Sequence, residues 1–247
     1  MTSSIRAVLF DLGDTLMYSL QPWGPVYELA GRELARCLSA GGLSVDGETF
    51  HRDFLEKLDQ YYTERDRNLM ETSTLLVLKE LLAEKGLSDL PESHLRPALN
   101  CFYAMTQQNW NLEADTTPML AALQAKGIRL GLVSNAGDSQ DVFQLVEKFE
   151  IRRYFDFILT SADCGYRKPH PAIFKLALAH WGYMPDEVAM VGDKLEADVH
   201  GARPLGIYAI WIKRRAKVSS PPPAEPDETV DTLAEIPGRL ERLQKTG

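Results

Sequence analysis

The 247-residue sequence predicts an α/β protein, in which a parallel sheet covered on both faces is interrupted after its first strand by a bundle of four helices. Three observations carry this prediction. Short apolar runs bounded by turn residues recur at 7–12, 128–133, 155–160, 188–191 and 207–212, and they carry apolar residues on both faces, as strands buried between two layers do. Helical patterns stand between the later runs. From about Met17 to Asn111 the alternation stops, and four amphipathic patterns follow one another.

The first strand, "AVLFDLGDTL", runs straight into Asp11 and Asp14. In the insertion, Val26, Leu29, Ala30, Leu34 and Cys37 follow helical spacing, as do Phe50, Phe54, Leu58 and Tyr61, then Leu75, Leu78 and Leu82, then Leu95, Leu99, Phe102 and Met105. Breaks at Gly41-Gly42, at 66–68 and at 86–92 separate the four. Thr117 is expected to cap the next helix, with Pro118 in its first turn and a stop at Gly127. His170-Pro171 opens another, with Ile173, Phe174, Ala177 and Leu178 on one face, which stops at Gly182. The proline-rich 219–228 reads as an extended surface loop, and "LAEIPGRLERLQ" as a last helix interrupted at Pro237-Gly238. The expected division is therefore a core of 1–16 and 112–247 and an inserted helical unit of 17–111.

Composition bounds the function. With 45% hydrophobic and 25% charged residues the chain matches an ordinary globular protein. Its 35 acidic and 27 basic residues give a net charge of −8, which argues against nucleic acid or an anionic membrane as partner. Cys37, Cys101 and Cys164 are odd in number and widely spaced, so reduced thiols are expected. No leader-like apolar stretch or membrane-length run is present, and a soluble, cytoplasmic protein is expected, either monomer or homodimer.

The chemistry gathers at strand ends. Asp11 ends the first strand, Ser134 and Asn135 the second, and Asp193 the fourth, with Asp198 five residues on; Lys168 lies in "YRKPHP" just before a helix. In open α/β sheets that carboxyl edge binds ligands. Taken singly, each residue also fits a plainer role: turn former, helix cap or solvated charge. Together they are the parts of a phosphate-handling site. Asp11 and Asp193 are hard oxygen ligands suited to Mg²⁺. Lys168 balances negative charge, and Ser134 with the backbone N–H groups of Asn135 and Ala136 can donate to phosphate oxygens.

In order and spacing, "FDLGDTL", "LVSNA", Lys168 in "RKPHPAIF" and "VGDKLEADVHGA" resemble the four motifs of the haloacid dehalogenase-like hydrolase superfamily, in its phosphatase branch with a helical C1-type cap. The resemblance implies a Rossmann-like core with an inserted four-helix cap. It implies Asp11 as a nucleophile forming an aspartyl-phosphate, and Mg²⁺ held by Asp11, the Gly13 carbonyl and Asp193. Asp198 is then an outer carboxylate, and a small phosphorylated metabolite the substrate. Members of that branch usually carry a general acid two residues after the nucleophile. Here that position is Gly13, and a carboxylate follows one place later at Asp14. Three consequences are open: Asp14 substitutes as acid and base, water or a cap residue supplies the proton, or catalysis is weak. A 2-haloacid dehalogenase-like hydrolase and a catalytically weak phosphate sensor are the alternatives. Trp23, Tyr27, Tyr61, Tyr62, Tyr103 and Trp110 are candidate cap contacts, although aromatics at helical spacing usually pack.

Overall fold

A computed structural model describes residues 4–216 and 224–246. Its central sheet holds six parallel strands in the order β5-β4-β1-β6-β7-β8: β1 (Ala7–Phe10), β4 (Arg129–Ser134), β5 (Phe157–Thr160), β6 (Val188–Gly192), β7 (Tyr208–Ile212) and β8 (Glu228–Val230). β2 (Met17–Ser19) and β3 (Trp110–Leu112) form a separate antiparallel pair. The helices are α1 (Trp23–Ala40), α2 (Gly47–Asn68), α3 (Thr74–Glu84), α4 (Glu92–Thr106), α5 (Thr116–Ala125), α6 (Ser139–Lys148), α7 (Ser161–Cys164), α8 (Pro171–Ala179), α9 (His200–Ala202) and α10 (Ile236–Thr246).

Two-faced burial is visible residue by residue along β1. Val8 and Phe10 join one apolar cluster with Leu130, Leu132, Val191 and Ile210, whereas Ala7 and Leu9 join another with Val133, Met190 and Ala209. The period of two sorts alternate side chains to opposite layers of helices. Because the chain passes from β1 outward through β4 and β5 and then back to β6, strand order reverses at β1. The crevice beyond its carboxyl end is where such sheets bind ligands.

Helices α1–α4 bury their own apolar cluster, centred on Leu34, Phe50, Phe54, Leu78, Leu99 and Phe102, separate from the two that flank the sheet. The β2–β3 pair carries the chain into and out of this unit, with Met17 opposite Leu112.

Several local expectations change. Cys37 and Cys101 are not free thiols but a disulfide joining α1 to α4, because packing of those helices brings positions 64 apart in sequence together. Cys164 is the free thiol. The α5 helix starts at Thr116 rather than being capped by Thr117, and the Thr116 hydroxyl donates to the Leu16 carbonyl at 2.7 Å. Pro237 and Gly238 do not interrupt the last helix; they lie in its first turn, where a missing N–H costs nothing. His170 caps α8 as expected, its Nδ1 accepting from the Ala172 N–H. Of the proline-rich stretch, residues 219–223 lie outside the described residues, while its last residue opens β8. No described helix is long and apolar enough to cross a membrane.

Candidate active site

Asp11 is the residue after β1, and its N–H donates to the Val191 carbonyl of β6 at 2.9 Å. The adjacent strand delivers Asp193 just past β6, its backbone carbonyl accepting from the Trp211 indole of β7 at 2.8 Å. A π-helical turn over Leu195–Val199 follows and swings Asp198 back toward β6. That return needs Gly192, because a Cβ there would sit 2.1 Å from Asp198 Oδ2. Asp198 Oδ2 accepts the Lys194 N–H at 3.0 Å.

Lys168 enters from the loop before α8, following a bend with a cis Lys168–Pro169 bond. Its Nζ lies 2.7 Å from Asp11 Oδ1 and 2.7 Å from Asp198 Oδ1, with the ammonium almost fully buried. Burial alone would lower this ammonium's pKa; the charges of Asp11 and Asp198 outweigh it and hold Lys168 above the ordinary value. The Asn135 side chain holds the Lys168 loop, accepting the Lys168 N–H at 2.8 Å and donating to its carbonyl at 2.9 Å. The side chain of Asn135 is thus committed to the lysine. The Ala136 N–H donates to Ser161 Oγ at 2.9 Å. Ser134, at the end of β4, is buried and lines the cavity beside Asp11.

One carboxylate in the group, Asp193, has no ion pair with the buried ammonium. Ligand oxygens of Asp11, Asp193 and Asp198 all lie within 4.8 Å of one another, yet the one ammonium among them contacts only Asp11 and Asp198. Burial, followed by the charges of Asp11 and Asp198, pushes the Asp193 carboxyl up to about 8. Such a buried set of hard oxygens with surplus negative charge suits a small divalent cation like Mg²⁺. The Thr15 hydroxyl spans the pair, 3.3 Å from Asp11 Oδ2 and 3.5 Å from Asp193 Oδ1.

Beyond Asp11 opens a cavity of about 300 Å³ between sheet edge and helical insertion. Gly13, Asp14, Trp23, Tyr27, Trp110 and Asp141 are among its walls. Tyr62 and Tyr103 line it too, whereas the Tyr61 hydroxyl is spent on Glu71. Asp14 takes a left-handed backbone conformation, φ 59°, which Asp tolerates better than most residues.

Sequence reading missed Thr15, Trp211 and the buried cluster that fastens insertion to core. Glu71, between α2 and α3, accepts from Ser161 Oγ at 2.6 Å, from Arg167 at 2.5 Å and from Arg65 at 3.1 Å. Burial would raise its carboxyl, but Arg167 and Arg65 prevail and hold it below the usual value. Through Ser161, Glu71 reaches the Ala136 N–H, and through Arg167 the neighbour of Lys168. Arg96 of α4 adds a second tie to Asp138 at 2.6 Å.

Asp141 also escaped the sequence. Burial and then the Asp138 charge push it up to about 7, against a hydrogen bond from Gln107 Nε2 at 2.8 Å. Since the folded value lies above the unfolded one of 3.8, its contribution to stability is fully present below about pH 4 and is lost as pH rises through 7. Asp141→Asn is therefore expected to raise the melting temperature at pH 8, with the gain vanishing toward pH 4. A gain that persists unchanged at pH 4 would count against this.

The family model for haloacid dehalogenase-like hydrolases matches residues 5–206. Among curated proteins, the glyceraldehyde 3-phosphate phosphatase of Methanopyrus kandleri is 29% identical, over 96% of this chain and 95% of that protein. Among solved structures, an HAD phosphatase from Thermococcus onnurineus is 25% identical at a TM-score of 0.67, covering 96% of this chain and 98% of the other. A 2-haloacid dehalogenase from Pseudomonas syringae pv. Tomato DC3000 shares the fold at 24% identity and a TM-score of 0.68, over 96% of this chain and 99% of that one.

Proposed function

The chain belongs to the haloacid dehalogenase-like hydrolases, and from that premise we propose that it is a Mg²⁺-dependent phosphatase acting on small phosphate monoesters through an aspartyl-phosphate on Asp11. The observation that carries this reading is the ammonium of Lys168 set 2.7 Å from both Asp11 and Asp198, with Asp193 in the same buried cluster. A phosphoryl-transfer site needs positioning and charge neutralisation more than reactive side chains.

Asp11 attacks phosphorus; the ester oxygen departs, and water then cleaves the acyl phosphate, returning the carboxylate. Lys168 neutralises Asp11 and the incoming phosphate, and Asp198 keeps Lys168 in place. Ser134, with the backbone of Asn135, donates to the phosphate oxygens. Asp11, Asp193 and the Gly13 carbonyl would hold Mg²⁺, which when bound neutralises charge on the transferring phosphoryl. Residues 17–111 act as the cap that shuts water out and contacts the leaving group, while 1–16 and 112–247 form the core.

One relative named above is a glyceraldehyde 3-phosphate phosphatase, so a phosphorylated triose belongs in the assay panel as an alkyl ester beside aryl and acyl phosphates. The same reading makes the protein a cytoplasmic monomer or homodimer with no nucleic-acid or membrane partner. A dehalogenase would not need the carboxylate pair of Asp11 and Asp193 for a cation, which is why that alternative ranks second.

Phosphate release from a panel of monoesters with Mg²⁺ is expected to stop when EDTA is added and to return on Mg²⁺ repletion. Halide release from a 2-haloacid that EDTA leaves untouched would replace this reading by the dehalogenase. Binding of phosphate esters with no turnover would favour the sensor.

A further inference from the structure

Resting on the phosphatase reading above, we propose that this enzyme selects acyl phosphates and phosphate esters whose leaving group departs as an anion, and that Trp110 is the specificity-determining residue that closes the position beside it. Two facts of the site meet here. Gly13, two residues after Asp11, has no side chain, and a Cβ built on it would lie 3.0 Å from Trp110 Cη2, with Cζ3 and Cζ2 at 3.7 and 3.8 Å. The carbon edge of an indole is thus packed where a longer side chain at position 13 would stand, and carbon donates no proton.

The wall is built, not incidental. Trp110 lies in β3 at the root of the insertion, its backbone in register with Ser19 of β2 and its side chain packed against the apolar cluster of the core. Its ring rests 5.0 Å from that of Trp23, which stacks on Tyr27 at 5.5 Å, and Tyr27 in turn lies over Phe102 at 6.1 Å. On the core side of Asp11, Lys168 is paired with Asp11 and Asp198, and the Thr15 hydroxyl spans Asp11 and Asp193. In-line displacement puts the leaving oxygen opposite Asp11, hence in the cavity whose walls beside Gly13 include Trp23, Tyr27 and Trp110, with Asp14 and Asp141 also lining it.

In the first step a carboxylate oxygen of Asp11 bonds to phosphorus and the bond from phosphorus to the leaving oxygen breaks. Its electron pair departs on that oxygen, which stays ionised when it is a carboxylate and otherwise takes a proton from solvent water afterwards. In the second, a water oxygen bonds to phosphorus and the bond to Asp11 breaks, regenerating the carboxylate; both water protons leave with the phosphate. With no proton delivered during the first step, its rate follows the basicity of the leaving group. Carboxylates, phenols and enols qualify, while simple alcohols do not.

The test is kcat/KM with Mg²⁺ for acetyl phosphate, a series of substituted phenyl phosphates and simple alkyl phosphates. General acid catalysis contributes about 10²–10⁴-fold, so alkyl phosphates are expected to fall at least about 10²-fold below nitrophenyl phosphate, with a continuous decline along the phenyl series. Alkyl and nitrophenyl phosphates turned over at similar kcat/KM would overturn the proposal, since a proton donor, for which Asp14 and Asp141 are the cavity's candidates, would then be acting. Phosphate release from none of them, acetyl phosphate included, would overturn the phosphatase reading itself. In a second arm, Gly13→Asp alone is expected to collide with the indole and lower activity, whereas Gly13→Asp combined with Trp110→Ala raises alkyl relative to phenyl turnover. A double variant that folds, binds Mg²⁺ and leaves that ratio unchanged would count against Trp110. The wild-type series stands whether or not the variants fold.

Discussion

Asp11→Asn is expected to lower phosphate release by at least about 10⁴-fold, the scale seen when a covalent nucleophile is removed from a preformed site. The change is nearly isosteric: the amide keeps one oxygen toward Lys168 Nζ, now 2.7 Å from the carboxylate, and removes one of three clustered negative charges. The folded protein should therefore survive it. Circular dichroism and the melting curve check this, and phosphate release measures the loss. Residual turnover within tenfold of the wild type would show that Asp11 is not the attacking group.

The second large effect is expected at Lys168, and it is one of stability as well as rate. Its ammonium is buried against Asp11 and Asp198, so Lys168→Met leaves two buried carboxylates without their cation. Breaking a buried pair on one side typically costs about 3–5 kcal/mol. The sign with pH follows from the carboxylates. Burial already raises the Asp198 carboxyl despite Lys168, and without the lysine it rises further, so the variant's deficit is largest at pH 8 and shrinks as acid protonates it. Urea unfolding in EDTA at pH 8 and pH 5 measures this, and a deficit equal at both would contradict it. Phosphate release should fall with it, since Lys168 is the ammonium set against Asp11 where the incoming anion must be balanced.

The parts of the fold that were legible are those written locally. Apolar runs ending in a polar residue marked β1, β4 and β6, and because parallel strands share one carboxyl edge, the same letters predicted that Asp11, Ser134 and Asp193 would lie at neighbouring strand ends. Helical spacing marked α1–α4. What was not legible depends on contacts between distant segments. Glu71 and Arg167 are 96 positions apart and meet only because the loop between α2 and α3 docks on the loop before α8. Trp110 reads as one aromatic among several until β3 sets it against Gly13. The Cys37–Cys101 bridge required knowing that α1 packs on α4, which three widely spaced cysteines do not reveal. The Asn135 side chain holding the Lys168 backbone, and Ser161 meeting the Ala136 amide, likewise depend on the loop before α8 and on α7 docking beside β4.

The most direct measurement of whether this cluster transfers a phosphoryl group is acid-quenched turnover of a phosphate-labelled nitrophenyl ester with Mg²⁺, followed by borohydride reduction and peptide mapping. Label, and the reduced residue that replaces an acyl phosphate, are expected at Asp11 and at no other carboxylate. Label at Asp14, Asp193 or Asp198, or turnover that proceeds with no labelled peptide at any quench time, would contradict the account.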